Sequence, residues 1–108
     1  LEGWARERGV RLPPELPERT SNHHIFHLLY PAGHLRDAAL ETLHARGTGA
    51  TFHYVPLHSA PHARAIGIDG SLPVTDRVAG RLLRLPLHPL LSGEDVERVV
   101  AAVRETGA

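Results

Sequence analysis

Proline placement constrains this chain more than any other feature of it. Proline has no N–H to donate, fixes its own φ and pushes its predecessor out of the helical region, so each one ends or excludes regular structure. Pro13, Pro14 and Pro17 fall within VRLPPELPERT (10–20), which reads as an extended linker. Pro31, with Ala32 and Gly33, stops a strand over HHIFHLLY (23–30), a run rich in strand formers. Pro56 closes a second strand over ATFHYVPL (50–57), in which Phe52 and Tyr54 share one face and Thr51, His53 and Val55 the other. Pro61 is tolerated only in the first turn of a short helix over HSAPHARAI (58–66). Pro86 sits inside a third strand, LLRLPL (82–87), and implies an edge position or an early end to its hydrogen bonding. In that strand Leu83, Leu85 and Leu87 share one face.

Helical patterns fill the intervals. LEGWARERG (1–9) reads as the end of a helix, with Trp4 and Arg8 on one face and Gly9 as terminator. HLRDAALETLHAR (34–46) repeats Leu35, Ala39 and Leu43 at helical spacing, and Gly47 stands where a left-handed cap belongs. GIDGSLP (67–73) is a loop, and VTDRVAGRL (74–82) a helix with Thr75 as candidate N-cap. In the last segment Ser92 is an N-cap with Asp95 three residues on, a weaker form of the capping box. Val96, Val99, Val100 and Val103 follow as one apolar stripe, closed by Gly107. Burial of all four valines would contribute about 6 kcal/mol before entropy is subtracted.

The order is helix, linker, β, α, β, α, α, β, α. The first two strands flank a helix and should run parallel through a right-handed crossover, with the third antiparallel between or beside them. The pattern predicts a small α+β domain with a three-stranded sheet and helices mainly on one face. Residues 1–20 read as the end of an interdomain helix and a Pro-rich linker, and 21–108 as the domain itself. A chain of 108 residues supports one such domain and one modest core.

Composition removes several kinds of chemistry. The 12 basic and 12 acidic residues cancel, which leaves no general electrostatic reason to seek nucleic acid or an anionic membrane. There is no Cys, hence no disulfide, thiolate metal site or cysteine nucleophile. There is no Lys, hence no Schiff base with a carbonyl substrate or pyridoxal phosphate. Met is absent even at position 1, as expected of a piece of a longer chain. No apolar run approaches membrane-spanning length and no signal peptide is visible, so a cytoplasmic location is expected.

Nine histidines are the main chemical asset. His58 and His62 are spaced i, i+4, as for a metal pair on one helix, but no Cys or suitably spaced carboxylate joins them. No nucleophile elbow or phosphate loop accompanies them either, and GIDG (67–70) lacks the flanks of a dinucleotide motif. Neither a native metal site nor catalysis by this chain alone is expected. His34, His44 and His62 read as surface or half-buried residues without a task. His24, His53, His58 and His88 lie in or just after strands, where sites are often built. HYVPLH (53–58) is the most distinctive string: Pro56 stiffens the strand exit and would hold the polar tips of Tyr54 and His58 in a fixed relation. Tyr54 could equally be a core residue with a satisfied hydroxyl, and His53 a packing residue beside Thr51 and Val55.

At FHYVPLHSAP (52–61) the sequence resembles the C-terminal domain of the sugar-nucleotide aminotransferases of the DegT/DnrJ type. SNHHIFHLLYP (21–31) is similar to that family's first strand of the domain, with His24, Ile25 and Phe26 at its His–apolar–aromatic pattern. LPVTDRVAGRLLRLPLHPLLS (72–92) and SGEDVERVVAAVRE (92–105) resemble its helix-then-strand ending and terminal helix. The HYVPLHS string is most similar to the branch of dTDP-4-amino-4,6-dideoxygalactose transaminases, which aminate a dTDP-4-keto-6-deoxyhexose with glutamate.

The resemblance implies the C-terminal domain of a fold type I, pyridoxal-phosphate-dependent enzyme that works as a homodimer. The Schiff-base lysine and main cofactor contacts would lie in a large N-terminal domain of the same polypeptide, so the 108 residues alone should hold no cofactor and be inactive. It also implies that His24, His53, Tyr54 and His58 line a sugar-nucleotide pocket, and that surface facing the large domain, some of it apolar, is exposed here. A stand-alone small-ligand-binding or regulatory module of the same fold is the competing reading.

Overall fold

A computed structural model describes residues 1–68 and 70–107, and puts the last strand of the sequence in the middle of the sheet. The strands are β1 (Phe26–Leu29), β2 (Thr51–Phe52) and β3 (Leu82–Leu85), in the order β1-β3-β2. Both outer strands run antiparallel to β3, so β1 and β2 are parallel to each other, with the third strand between them. The helices are α1 (Glu2–Glu7), α2 (Gly33–Ala45), α3 (Pro61–Ala65), α4 (Pro73–Ala79) and α5 (Gly93–Glu105), with a single 3₁₀ turn at Leu57–Ser59.

Alternation along the strands separates two faces. The row Leu28–Leu83–Phe52 and the pair Phe26–Leu85 point one way, toward α2 and α5. Leu28 and Leu83 are fully buried there, together with Leu43 of α2 and Val103 of α5. Every residue on the opposite face of the three strands stays half-exposed. This is the expected α+β arrangement, a three-stranded sheet with its long helices on one side.

Local chemistry explains most element ends. Gly47 takes φ +70 just past α2, a conformation that a Cβ would strain. Gly33 opens α2 where a Cβ would meet the Gly80 carbonyl oxygen at 3.1 Å. That close approach lets the Arg36 guanidinium donate to the Leu82 carbonyl at 3.0 Å, pinning α2 to the start of β3. At α5 the box is complete: Asp95 N–H donates to Ser92 Oγ at 3.1 Å and Ser92 N–H donates to Asp95 Oδ2 at 2.9 Å. Tyr30 is buried beside Thr106; the Thr106 hydroxyl donates to the Val103 carbonyl, so Tyr30 Oη donates to it in turn, at 3.3 Å.

Several expectations require correction. β2 ends at Phe52 rather than near residue 57, because its partner β3 begins at Leu82 and the ladder runs out. Of the two readings of Pro86 the early end of hydrogen bonding holds and the edge position does not: β3 is central and stops at Leu85, so that Pro86 falls just outside the ladder. Leu87, past that end, is 41% exposed rather than in line with Leu83 and Leu85. Thr75 is not the N-cap of α4; Leu72 takes that position and Pro73 enters the first turn. The valine stripe of α5 is only partly sunk, with Val103 buried and Val96 48% exposed. Within 10–20, Arg11 exchanges two backbone hydrogen bonds of 2.9 Å with Leu29. Trp4, Ala5 and Val10 are buried in the core cluster, with the Arg8 guanidinium 5.6 Å over the Trp4 ring. Asp69, within the expected 67–73 loop, lies outside the described residues.

Leu83→Ala should cost about 2–5 kcal/mol in urea unfolding, because the central strand cannot collapse into the cavity. Ser92→Ala should cost about 1 kcal/mol at neutral pH. The Ser92 backbone N–H and hydroxyl and the Arg98 guanidinium hold the Asp95 carboxyl at about 2, below its ordinary 3.8. A carboxyl lowered on folding stabilises above its ordinary value, and loses that contribution as pH falls toward the folded one. The stability gap between the natural chain and Asp95→Asn should therefore close between about pH 4 and pH 2.

Candidate functional site

The half-exposed face of the sheet carries one polar row across all three strands: His27 of β1 pairs with Arg84 of β3, which pairs with Thr51 of β2. Arg84 is its centre. Where β2 has ended, the chain turns Tyr54 back so that Arg84 Nη1 donates to the Tyr54 hydroxyl at 3.4 Å. The guanidinium carbon also lies 5.8 Å from the centre of the Tyr54 ring, within cation–π range. The His53 and Tyr54 rings stand 4.3 Å apart at a 32° tilt. Tyr54 is 60% exposed and so is not a core residue.

His53 is half-buried, and its Nδ1 has no hydrogen-bond partner among the described residues. Across the face His27 responds to it: burial first, and the charge of His53 second, hold the His27 imidazole below its ordinary value. Both effects disfavour a second positive charge in a half-dehydrated place.

His24 arrives from the other end of β1. His23 before it sits at φ +52, with its N–H donating to Ser21 Oγ at 3.0 Å, and this tight turn leads into His24. His24 Nδ1 lies 2.7 Å from Asn22 Oδ1, a carbonyl oxygen, so Nδ1 carries the proton. In the neutral ring Nε2 is left as an acceptor, suited to a hydroxyl. His24, Gly49, Thr51 and Arg84 line a cleft of about 180 Å³ with residues 85–87.

His58 stands elsewhere. Its Nε2–H donates to Asp76 Oδ1 at 2.8 Å, joining the 3₁₀ turn to α4. Both line a separate, open cleft of about 620 Å³ with Ser59, Arg64 and Ser71 among its walls. Of the four residues singled out from the sequence, His24, His53 and Tyr54 gather around Arg84, and His58 lines a cleft that shares no residue with theirs. His88 makes neither wall. Arg84 and Asp76 were missed. The signal for Arg84 was a lone charge among the leucines of LLRLPL, on the face opposite Leu83 and Leu85.

His58 and His62 do not share one helix, because Pro61 begins α3 between them. Among the described residues no group of three or more His, Cys, Asp or Glu could hold a metal ion. His44 has a structural role, with Nε2 at 2.7 Å from the Ala50 carbonyl oxygen. Nor do the donors fit pyridoxal phosphate: the chain has no lysine to capture its aldehyde, and Asp76, the carboxylate nearest a cleft histidine, is engaged by His58. What the Arg84 surroundings can do is bind, through hydroxyl donors and acceptors, an aromatic face and one guanidinium. No described helix is long and apolar enough to cross a membrane.

Residues 4–104 match the DegT/DnrJ/EryC1/StrS aminotransferase family. The chain is 37% identical over 91 residues to a dTDP-4-dehydro-2,3,6-trideoxy-D-glucose 4-aminotransferase of Saccharopolyspora spinosa, covering 84% of this chain and 23% of that protein. It is 34% identical to a UDP-N-acetyl-3-dehydro-alpha-D-glucosamine 3-aminotransferase of Acidithiobacillus ferrooxidans, covering 96% of this chain and 28% of the relative. The crystal structure of the aminotransferase TlmJ from Streptoalloteichus hindustanus superposes with a TM-score of 0.81 at 38% identity, over 97% of this chain and 29% of that one. The chain thus spans about a quarter of the length of the relatives it matches.

A base whose value is lowered on folding costs stability once the unfolded chain takes up its proton first. Stability should therefore fall as pH drops through about 6.5, the ordinary value for His27. Thermal melts between pH 8 and pH 5 should show this, with a shallower decline for His27→Gln than for the natural chain.

Proposed function

Because this chain belongs to the DegT/DnrJ/EryC1/StrS aminotransferase family, we propose that it forms the C-terminal, pocket-closing domain of a pyridoxal-phosphate-dependent sugar-nucleotide aminotransferase. On this reading residues 1–20 are the end of an interdomain helix and its linker, and 21–108 the small domain. A larger N-terminal part of the same polypeptide carries the lysine and the cofactor. The substrate is a dTDP-4-keto-6-deoxyhexose, glutamate gives the amino group, and the enzyme is a cytoplasmic homodimer.

The observation that carries this reading is the gathering of His24, His53 and Tyr54 around Arg84 on the face turned away from the core. The groups are polar and partly exposed, and the Arg84 they surround is fixed by strand pairing on both sides, as a positioning site requires. Tyr54 Oη and His24 Nε2 take sugar hydroxyls, and His53 offers its free ring nitrogen. His58, steadied by Asp76, meets the substrate from the separate cleft that it lines. Their work is to hold the keto carbon still; orientation of this kind lowers a barrier without any bond made by these residues.

The apolar surface fits the same reading. Eight large hydrophobic residues are exposed between Phe52 and Val74, with Leu57 at 87%, Val74 at 63% and Ile66 at 61%. Such a concentration is unusual for a domain that stands alone. It suits a face covered by the cofactor-bearing part.

The complete open reading frame that contains these residues should give a product with the visible absorbance of bound pyridoxal phosphate. That product should transfer an amino group from glutamate to a dTDP-4-keto-6-deoxyhexose. The 108-residue chain alone should do neither. Tyr54→Phe and His24→Ala should each raise the KM for the sugar nucleotide about tenfold, with a smaller change in kcat. A folded complete product without the cofactor absorbance overturns the proposal.

A further inference from the structure

A third cleft gathers positive charge away from the two already described. It holds about 260 Å³, and Arg11, Arg77 and Arg81 stand on its walls. It shares no residue with the cleft of His24 and Arg84 or with that of His58. No carboxylate lines it. Arg8, Arg36, Arg46 and Arg98 each pair with an acidic side chain, whereas Arg11, Arg77 and Arg81 pair with none among the described residues. Asp76, the neighbour of Arg77 in the chain, is turned to His58 instead.

The three arginines come from separate parts of the chain, each with its backbone held. Arg11 is fastened to Leu29 at the end of β1. The Arg81 carbonyl accepts from the Tyr30 N–H at 3.0 Å, and the Arg81 N–H donates to the Val78 carbonyl at 3.0 Å, just before β3. Arg77 lies in the last turn of α4. Gly9, at φ +64, makes the turn that carries the chain from α1 to Arg11 and forms part of the same wall. Like charges brought together in this way repel, and a bound anion reverses that cost. A cleft lined by one sign of charge also focuses its field on whatever enters.

Size and charge define the chemistry of that anion. The cleft, at about 260 Å³, is below the roughly 300–1,000 Å³ that encloses a whole small ligand, so it takes one compact group. A terminal phosphate brings about two negative charges and several strong acceptor oxygens at neutral pH. Guanidinium matches that geometry. A carboxylate has less charge and fewer oxygens to share among these arginines. A diphosphate esterified at both ends spreads its charge more thinly and has substituents leaving on both sides.

We propose that Arg11, Arg77 and Arg81 form a binding site for a terminal phosphate group, outside the clefts assigned to the sugar substrate. The assignment draws nothing from the aminotransferase reading. An occupant ties together the exit of α1, the end of β1 and the end of α4, the helix whose Asp76 holds His58. Free phosphate and the phosphate monoester of a larger molecule share this chemistry, and the experiment separates the two sources.

The 108-residue chain, followed by NMR of its amide and guanidinium N–H groups, is titrated with inorganic phosphate and, separately, with glucose 6-phosphate and with UDP-glucose. Inorganic phosphate should shift the resonances of Gly9, Arg11, Arg77 and Arg81 saturably, with an affinity that falls as sodium chloride is raised. Arg77 is exposed, so its replacement leaves the fold intact. Arg77→Gln should weaken phosphate binding at least about fivefold, and Arg77→Lys should recover part of it. Glucose 6-phosphate binding at least as tightly assigns the site to a monoester, and binding of inorganic phosphate alone assigns it to the free ion. Shifts that fail to saturate with either, or that spread equally to Arg84 and the carboxylate-paired arginines, overturn the proposal. Unaltered phosphate affinity in Arg77→Gln overturns it too, as does UDP-glucose binding at these residues as tightly as phosphate.

Discussion

The double pairing of β3 governs the rest of the structure. Each residue of this four-residue strand is opposed on at least one side, and Leu83 and Arg84 on both. Leu83 then faces a fully buried layer with Leu28, Leu43 and Val103. Because side chains alternate, burying Leu83 obliges Arg84 to point the other way. A slip of one residue would put the guanidinium in the core and a leucine in the cleft. Burial of Leu83 is thus also what aims the only charge in the central strand. The Arg36 bond to Leu82 at the start of the same strand, beside its bond to Ala79 at the end of α4, adds a second restraint on its register.

Periodicity and punctuation carried much of the architecture. The stripe of Leu35, Ala39 and Leu43, the cap at Ser92 and the strand formers around Phe26 each name their own element, and the β–α–β order implies the parallel outer pair. The errors sit where an element depends on a partner distant in the sequence. Whether β2 continues past Phe52 is decided by where β3 begins, thirty residues on. Thr75 lost the cap of α4 because Pro73, already fixed at a helical φ, enters the helix first. Val96 follows the α5 stripe but lies in its first turn, where no element packs over it closely enough to bury it.

The site was legible as residue types and only partly as a constellation. Histidines and a tyrosine near strand ends mark polar groups near the sheet, and three of those chosen are linked through Arg84: Tyr54 touches it, His53 stacks on Tyr54, and His24 lines its cleft. His58 does not join them because the turn after Pro56 carries it to α4, a contact between positions eighteen apart that no local pattern encodes. Arg84 escaped notice because its partners, His27, Thr51 and Tyr54, are far from it in the sequence and meet it only once the sheet is assembled.

The bridge between Arg11 and Leu29 gives the proline-rich stretch a mechanical meaning. It fastens the chain to the sheet edge before the prolines begin, and β1 fastens it again after they end. The prolines therefore form a closed excursion that bears no tension. A pull applied at the opening helix would pass through the Arg11 amide straight into Leu29, two residues from His27, bypassing the intervening loop. Opening and closing of this domain against any neighbour would then carry the helix and the sheet together as one rigid lever.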